Sequence, residues 1–467
     1  MQNLFYKNAV CLSGLMILTA CASTAVVRPP EYQAPKIQVD EQYKYASLNW
    51  TATGALQPVG ADWWQIYQDP MLSQLMQQLN QENLSLLQAE ARFRYAHALL
   101  QQQRAARQPS LALNASANRS GGKNTASSGQ FGSEIQASWI PDVWGRVAKA
   151  IEGQQANFEA AGAELQAVKL SQQLLATEAY WNIRVLDAQI DILQQTQQSY
   201  VRSVQILKNQ YTAGMIARAD VIQAETQLKQ VQIQRIEMQR ERNLQENILA
   251  ILQGLGVAQF QLVPQKIVFQ VPTLPTQLPS RLLIQRPDVL RAERDLAATH
   301  AQLGLAQTAW LPDVSIGLNS AVNSQIFSQL FQSPQYLWSA GLKAAAVLWD
   351  GGKRKADIAA AQANYDEKSA AYKQAVLTGW KEVEDALMQS ASFRQQQAEQ
   401  AKLSALAVEN ERVVTRRYNA GLVSYLEVVS AQNLRLQAEQ AALELKQLQL
   451  KNTAQLIAAL GGHYSLS

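Results

Sequence analysis

Histidine and cysteine are nearly absent from this 467-residue chain, which has only His97, His300, His463, Cys11 and Cys21. A zinc cluster or a disulfide framework therefore has almost nothing to be built from. An excess of one charge is missing too: 41 Lys and Arg against 37 Asp and Glu leave +4, too little for the basic face that nucleic-acid binding needs. After Cys21 the chain offers no run of about 18 uncharged apolar residues, so no helix there is expected to span a bilayer. Catalytic motifs are equally scarce. Gly121-Gly122-Lys123 and Gly351-Gly352-Lys353 lack the spacing of a phosphate loop and the Ser or Thr that follows its Lys, and no Gly-x-Ser-x-Gly nucleophile is present. An enzyme, a metal site, a nucleotide cofactor and a nucleic-acid partner are all unexpected.

The first residues read as an address. Lys7 precedes the apolar stretch Ala9 to Leu18, too short to cross a bilayer and ordered as an export signal is. Leu18-Thr19-Ala20-Cys21 looks like a bacterial lipobox, with residues 1–20 removed and Cys21 carrying N-acyl and diacylglycerol lipid. Cleavage nearby would instead leave Cys21 as a free thiol, a liability in an oxidising compartment. Residue 22 is Ala; Asp there often marks inner-membrane retention, so the outer membrane is favoured. Ala22 to Pro35, with Pro29-Pro30, reads as an extended tether.

The body is two copies of one design. A shift of 207 carries Gln155-Ala156-Asn157-Phe158 onto Gln362-Ala363-Asn364-Tyr365, Tyr211-Thr212-Ala213-Gly214 onto Tyr418-Asn419-Ala420-Gly421, and Asp220-Val221 onto Glu427-Val428; upstream a shift of 203 carries His97-Ala98 onto His300-Ala301. Proline is absent between Pro141 and Pro264 and after Pro334, and both stretches are rich in Ala, Gln, Leu and Glu, the composition of very long helices. Each is broken once, at Gly214 and at Gly421. Val221, Ala224, Leu228, Val231 and Met238 fall at heptad a and d positions, as do Leu434, Ala438, Leu445 and Leu448. Gly145 to Tyr211 makes a helix about 100 Å long, while the return from Met215 to Gly254 covers only about 60 Å. A further helix over Asn83 to Arg107, about 37 Å, supplies the difference. Asp288 to Thr308, Lys353 to Arg417 and Leu422 to Leu460 repeat the arrangement. Equal lengths imply a cylinder wall with the Gly214 and Gly421 turns at one end.

At the other end the pattern changes to alternation. Leu111, Leu113, Ala115 and Ala117 point one way and Asn114, Ser116 and Asn118 the other; Ile135, Ala137 and Trp139 alternate with Glu134, Gln136 and Ser138. Val314, Ile316 and Leu318, then Trp338, Ala340, Leu342 and Ala344, repeat this, with Lys343 on the polar side. Each segment has about the nine to eleven residues of a tilted membrane strand; two soluble hairpins packed on helices would share the pattern. Four strands cannot close a barrel and open edges are not tolerated in lipid, so chains must combine. Two would give a filled barrel and three the beginning of a lumen.

These residues resemble the lipoprotein branch of the TolC-like outer-membrane factors (NodT-type outer-membrane efflux proteins). The resemblance is carried most specifically by Arg286-Pro287-Asp288-Val289 with Arg291-Ala292-Glu293, by Asp142-Val143-Trp144-Gly145-Arg146 and Leu348-Trp349-Asp350-Gly351-Gly352, and by the tips Tyr211 to Asp220 and Tyr418 to Glu427. It implies a mainly α fold with a transmembrane β portion: a homotrimer with a 12-stranded barrel, four strands per chain, continued by a long periplasmic α-helical barrel. The implied division is 1–20 signal, 21–70 lipid-anchored extension and equatorial contact, 71–256 first repeat, 257–279 linker in an equatorial belt, 280–462 second repeat and 463–467 tail. The implied role is a passive exit duct of a tripartite efflux system for small molecules such as drugs, partnered by a periplasmic adaptor docking on the Gly214 and Gly421 tips and an inner-membrane transporter of the RND type. Export of secreted protein or metal ions, or a coiled-coil spacer lipoprotein without a pore, are the alternatives. Residue by residue, Tyr418 and Asp220 match a latch pair and Glu427 an aperture carboxylate, three copies of which would favour cations. Solvated helix ends commonly carry the same groups. Val423 and Ser430 stand where relatives have a basic latch residue and a second acid, with Arg416 and Arg417 as nearby substitutes.

Overall fold

The computed structural model describes residues 32–35, 44, 62–266, 268–272, 285–330, 332 and 335–462. The export signal, Cys21, most of the tether, much of the linker and the tail with His463 lie outside the described residues. The elements run α1 (Pro70–Glu82), α2 (Leu84–Ala105), β1 (Ser110–Gly122), β2 (Thr125–Trp139), α3 (Arg146–Thr212), α4 (Arg218–Leu252), α5 (Pro287–Gln307), β3 (Asp313–Ser324), β4 (Gln335–Ala345), α6 (Lys353–Asn419) and α7 (Tyr425–Ala459). The long proline-free helices are present, α3 and α6 at 67 residues each and α4 and α7 at 35 each. Among the described residues no helix is long and apolar enough to cross a membrane.

The chain divides into two compact units. The first, residues 1–36, 95–159 and 293–371, holds the sheet. Its strands form an antiparallel meander in the order β1-β2-β3-β4. Within the repeats β1 pairs with β2 and β3 with β4; β2 joins β3, Ala137 facing Leu318 and Phe131 facing Ser324. Register fixes the faces. Leu111, Ala137, Leu318 and Ala340 form one cross-strand row, and Trp139, Ile316 and Leu342 the next, so the four alternating patterns add up to one apolar face. Leu111, Leu113, Trp338 and Leu342 are more than 70% exposed on it, a greasy surface that water would not tolerate at this extent. Asn114, Glu134 and Ala321 form a row on the opposite, largely polar face.

Strand-to-helix junctions are built from the acid in each junction motif. Asp142 accepts from the N–H groups of Val147 (2.8 Å) and Ala148 (2.7 Å), capping α3. Asp350 does the same for Arg354 (3.1 Å) at the start of α6. Arg146 binds Asp313 and the carbonyl of Thr308, and the Trp144 indole donates to Pro312 O at 2.7 Å. Repeat symmetry reaches the side chains: His97 packs on Phe158 (5.3 Å) as His300 packs on Tyr365 (5.8 Å).

The second unit, residues 37–94, 160–292 and 372–467, is helical. Helix α1 is an addition to the expected plan. Asp69 caps it, accepting from Leu72 N at 3.0 Å, Pro70 occupies its first turn, and Leu72, Leu75, Met76 and Leu79 make its buried stripe. With Trp63, Trp64 and Tyr67 that stripe packs on Tyr180, Trp181 and Ile183 of α3, Leu249 of α4, Leu387 of α6 and Ile457 of α7. Buried beside this core is an ionic clamp. Arg242 binds Asp187 (2.6 Å), Glu246 (3.1 Å) and the carbonyl of Leu262, while Arg184 binds Asp187 (3.3 Å) and the carbonyl of Val263 (2.8 Å). The clamp fastens the chain leaving α4 to the helices it has just left. The heptad reading needs one correction: Leu434 and Leu448 are exposed (41% and 45%), and Leu436 takes the inward place against Leu193 and Tyr200. Helix α7 meets more than one neighbour, so its apolar stripe is wider than a two-helix seam and displaced from it.

Candidate functional site at the hairpin tips

Both helical hairpins end in the same turn. Gly214 has φ +73° and Gly421 φ +76°. Gly214 N–H donates to Tyr211 O and Met215 N–H to Gln210 O, both at 2.9 Å; Gly421 N–H donates to Tyr418 O at 2.8 Å and Leu422 N–H to Arg417 O at 2.9 Å. These paired bonds close the last carbonyls of α3 and α6 on a left-handed residue, the Schellman arrangement. A Cβ would meet nothing within 4 Å at either glycine, so backbone conformation alone asks for glycine. Met215 and Leu422 follow as 72% and 69% exposed apolar knobs.

Asp220 and Glu427, equivalent by repeat, sit in the first turns of α4 and α7, where a carboxylate is favoured by the helix dipole. The tips share a core in which Val204, Leu207, Val221 and Ala224 of the first hairpin meet Tyr425, Val428 and Val429 of the second, with Ile216, Val414 and Tyr418 around them. Tyr418 and Asp220 are thereby brought into electrostatic contact. Burial first, then the Asp220 charge, pushes the Tyr418 phenol up, so it remains a proton donor throughout the physiological range. No hydrogen bond joins the two in this state among the described residues; the Tyr418 ring lies 5.6 Å from that of Tyr425. Glu427 stands apart, exposed and without an ion-pair partner among the described residues. Val423 is half-buried, Ser430 donates to Leu426 O at 2.9 Å, and Arg416 and Arg417 are exposed.

Two ion pairs at the tips have no sequence signal. Lys208 and Glu225 (2.7 Å) tie α3 to α4, and Arg435 and Glu411 (2.9 Å) tie α7 to α6. The repeat shift places Thr415 and Gln432 opposite Lys208 and Glu225, so comparison of the copies could not reveal them. The buried Tyr200, whose hydroxyl has no partner and is pushed up to about 12 by desolvation, was equally invisible.

A strand quartet with one exposed greasy face, in the same chain as doubled helical hairpins of such length, is the architecture of an outer-membrane channel subunit. The chain belongs to the outer membrane efflux protein family, which matches residues 75–255 and 278–462. It is similar to the cation efflux system protein CusC of Escherichia coli strain K12, 28% identical over 96% of this chain and 98% of that one. It is similar also to the antibiotic efflux pump outer membrane protein ArpC of Pseudomonas putida, 26% identical over 93% and 92%. Crystal structures of CusC that describe transmembrane channel formation superpose with a TM-score of 0.83 at 26% identity, covering 93% of this chain and 99% of that one. The protein is thus an outer-membrane channel component of an efflux system, sited in the outer membrane of a Gram-negative cell.

Proposed function

We propose that three copies of this chain close into a single duct. The observation that carries this is the sheet: β1 and β4 are its outer strands, its apolar face points outward, and in lipid every unpaired backbone group at those edges would cost several kcal/mol. Pairing β4 of one copy with β1 of the next satisfies them, and three copies give twelve strands and a lumen. The lipid on Cys21 adds a second hold on the same bilayer. The tip turns at Gly214 and Gly421 dock a periplasmic adaptor, behind which an inner-membrane transporter of the RND type supplies the energy; the duct itself is passive and performs no catalysis. Asp220 and Tyr418 act as a latch at the aperture, supported by their electrostatic contact, and three copies of Glu427 ring it.

Cargo is small molecules such as drugs. A second reading, metal ions, is favoured by the likeness to a cation efflux protein, while the comparable likeness to an antibiotic pump component fits a wide tube that leaves the choice of cargo to its pump. The purified full chain is expected to run as a heat-modifiable trimer, to show a central passage in averaged top views, and to carry diacylglycerol on Cys21 by mass spectrometry. A solid-cored monomer would overturn the proposal. In planar bilayers Glu427→Gln is expected to lower cation preference; unchanged selectivity would remove Glu427 from the aperture.

A further inference from the structure

The polar face of the sheet carries two unpaired charges at different heights. Four charged residues lie in the strands: Arg119, Glu134, Asp313 and Lys343. Asp313 is bound by Arg146. Arg119 sits near the β1–β2 turn, in the alternation of the apolar face, and points its guanidinium at Ser127 Oγ (3.4 Å). Glu134 and Lys343 remain. Both belong to the polar face, and neither has an ion-pair partner among the described residues. Glu134 is half-buried at mid-strand, beside a hollow of about 460 Å³ lined by Asn114, Ser116, Asn319, Asn323 and Ser339. Neutral amides and hydroxyls can solvate that carboxylate without cancelling it, so its field reaches the water in front of the face. Lys343 is exposed nearer the helices. It pairs with Ser315, whereas Glu134 pairs with Ala321, which faces Leu337, so six residues of β3 and of β4 separate the two levels. That is about 20 Å along a strand, and about 14 Å along a barrel axis for strands tilted about 45°.

We propose that Glu134 and Lys343 form two rings of opposite charge inside the β-barrel, an acidic ring at mid-height and a basic ring at its helical end, and that these rings set the ion preference and current asymmetry of the duct independently of its tip. This rests on the three-chain closure proposed above. Rings of side-chain charge select ions by sign. At 0.15 M salt the screening length of about 8 Å is shorter than the spacing, so each ring acts on its own; at 0.01 M it is about 30 Å and the rings largely cancel. Two opposite charges in series also concentrate ions under one polarity and deplete them under the other, which makes the current asymmetric with voltage.

Single-channel recordings in a tenfold KCl gradient test this on the full chain. Glu134→Gln is expected to lower the cation-to-anion permeability ratio about twofold, and Lys343→Gln to raise it by a similar factor. The double variant is expected to return the ratio towards the parent value and to abolish the voltage asymmetry. Unchanged ratio and asymmetry in both single variants, with Glu427→Gln still shifting the ratio, would overturn the rings while leaving the closed duct intact. A second readout does not need conductance: Glu134→Cys and Lys343→Cys are expected to react with a charged, membrane-impermeant thiol reagent in reconstituted vesicles, and Leu113→Cys is not. The reverse labelling pattern would overturn the proposal. Absence of any conductance together with uniform labelling of all three would overturn the closed duct itself.

Discussion

The two long hairpins share a backbone plan and differ in how their upper ends are held. In the first, buried charges do the holding: Arg184, Asp187, Arg242 and Glu246 grip each other and the carbonyls of Leu262 and Val263. In the second, the repeat shift puts Gln449 in the place of Arg242 and Thr453 in that of Glu246. Gln449 donates to Gln397 Oε1 (3.0 Å) and Phe393 O (3.3 Å), and Asn452 to Ala386 O (3.0 Å) and Ser390 Oγ (2.7 Å). The difference follows from what each hairpin must anchor. Behind the first runs a connecting segment whose carbonyls need donors; at the matching positions of the second, amides bond helix to helix, and its buried arginine contact comes from outside the hairpin, Arg286 binding Glu382 (2.7 Å) and the carbonyl of Ala459 (2.8 Å). The scaffold is common to both copies, while the first places its buried charges within the hairpin and the second receives one from the segment ahead of α5.

That contrast sets the order of expected effects. Arg242→Met takes the ion pair from Glu246 and leaves Asp187 with Arg184 alone, and is expected to cost about 3 kcal/mol, read as a lowered denaturation midpoint of the purified oligomer. Gln449→Leu, at the equivalent place, is expected to cost only about 1 kcal/mol; equal losses would break the comparison. The tips should behave alike instead. Gly214→Ala and Gly421→Ala each force a Cβ into the left-handed region, at about 1 kcal/mol, and a large inequality between them would show that one turn bears a load the other does not.

The smallest effect concerns the histidine pair. His300 lies against Tyr365 and Tyr32, and burial first, then the Lys149 charge, with Glu152 opposing, holds its imidazole below the usual range. A depressed folded value means that the unfolded chain binds the proton more readily. Stability is therefore full above about pH 6.5 and declines as pH falls through the lower folded value. His300→Gln is expected to flatten that acid limb, measured as melting temperature between pH 7.5 and 5; an unchanged slope would assign the limb to other groups.

Much of this was legible in the sequence because the strongest signals are the longest. Absence of proline over more than a hundred residues of helix-forming composition points to helix, and one of the glycines in each stretch, Gly214 or Gly421, marks the reversal. Alternation in four short segments announced strands, and the register then proved to gather all four apolar sets on one face. Helix α1 opens the first repeat and was not singled out as an element of its own, although Asp69-Pro70 followed by Leu72, Leu75, Met76 and Leu79 is a capped amphipathic start. The clamp was hidden for a better reason. Buried charges look like surface charges until their partners are known, and Asp187, Arg242 and the Leu262 carbonyl come from three separate parts of the chain. At the tips the sequence located Asp220, Tyr418 and Glu427, while the placement of Tyr418 against Tyr425 depended on packing between hairpins that no local pattern encodes.

The order β1-β2-β3-β4 also dictates a timetable. The first strand pair is synthesised early, yet the flank of β2 finds its neighbour only when β3 arrives, Phe131 meeting Ser324. Contacts so distant along the chain form late and slowly, and in the interval the first pair travels with an uncovered edge. Folding of the sheet therefore has to keep the first hairpin from pairing elsewhere until β3 is available, because an unpaired strand edge is a template for aggregation.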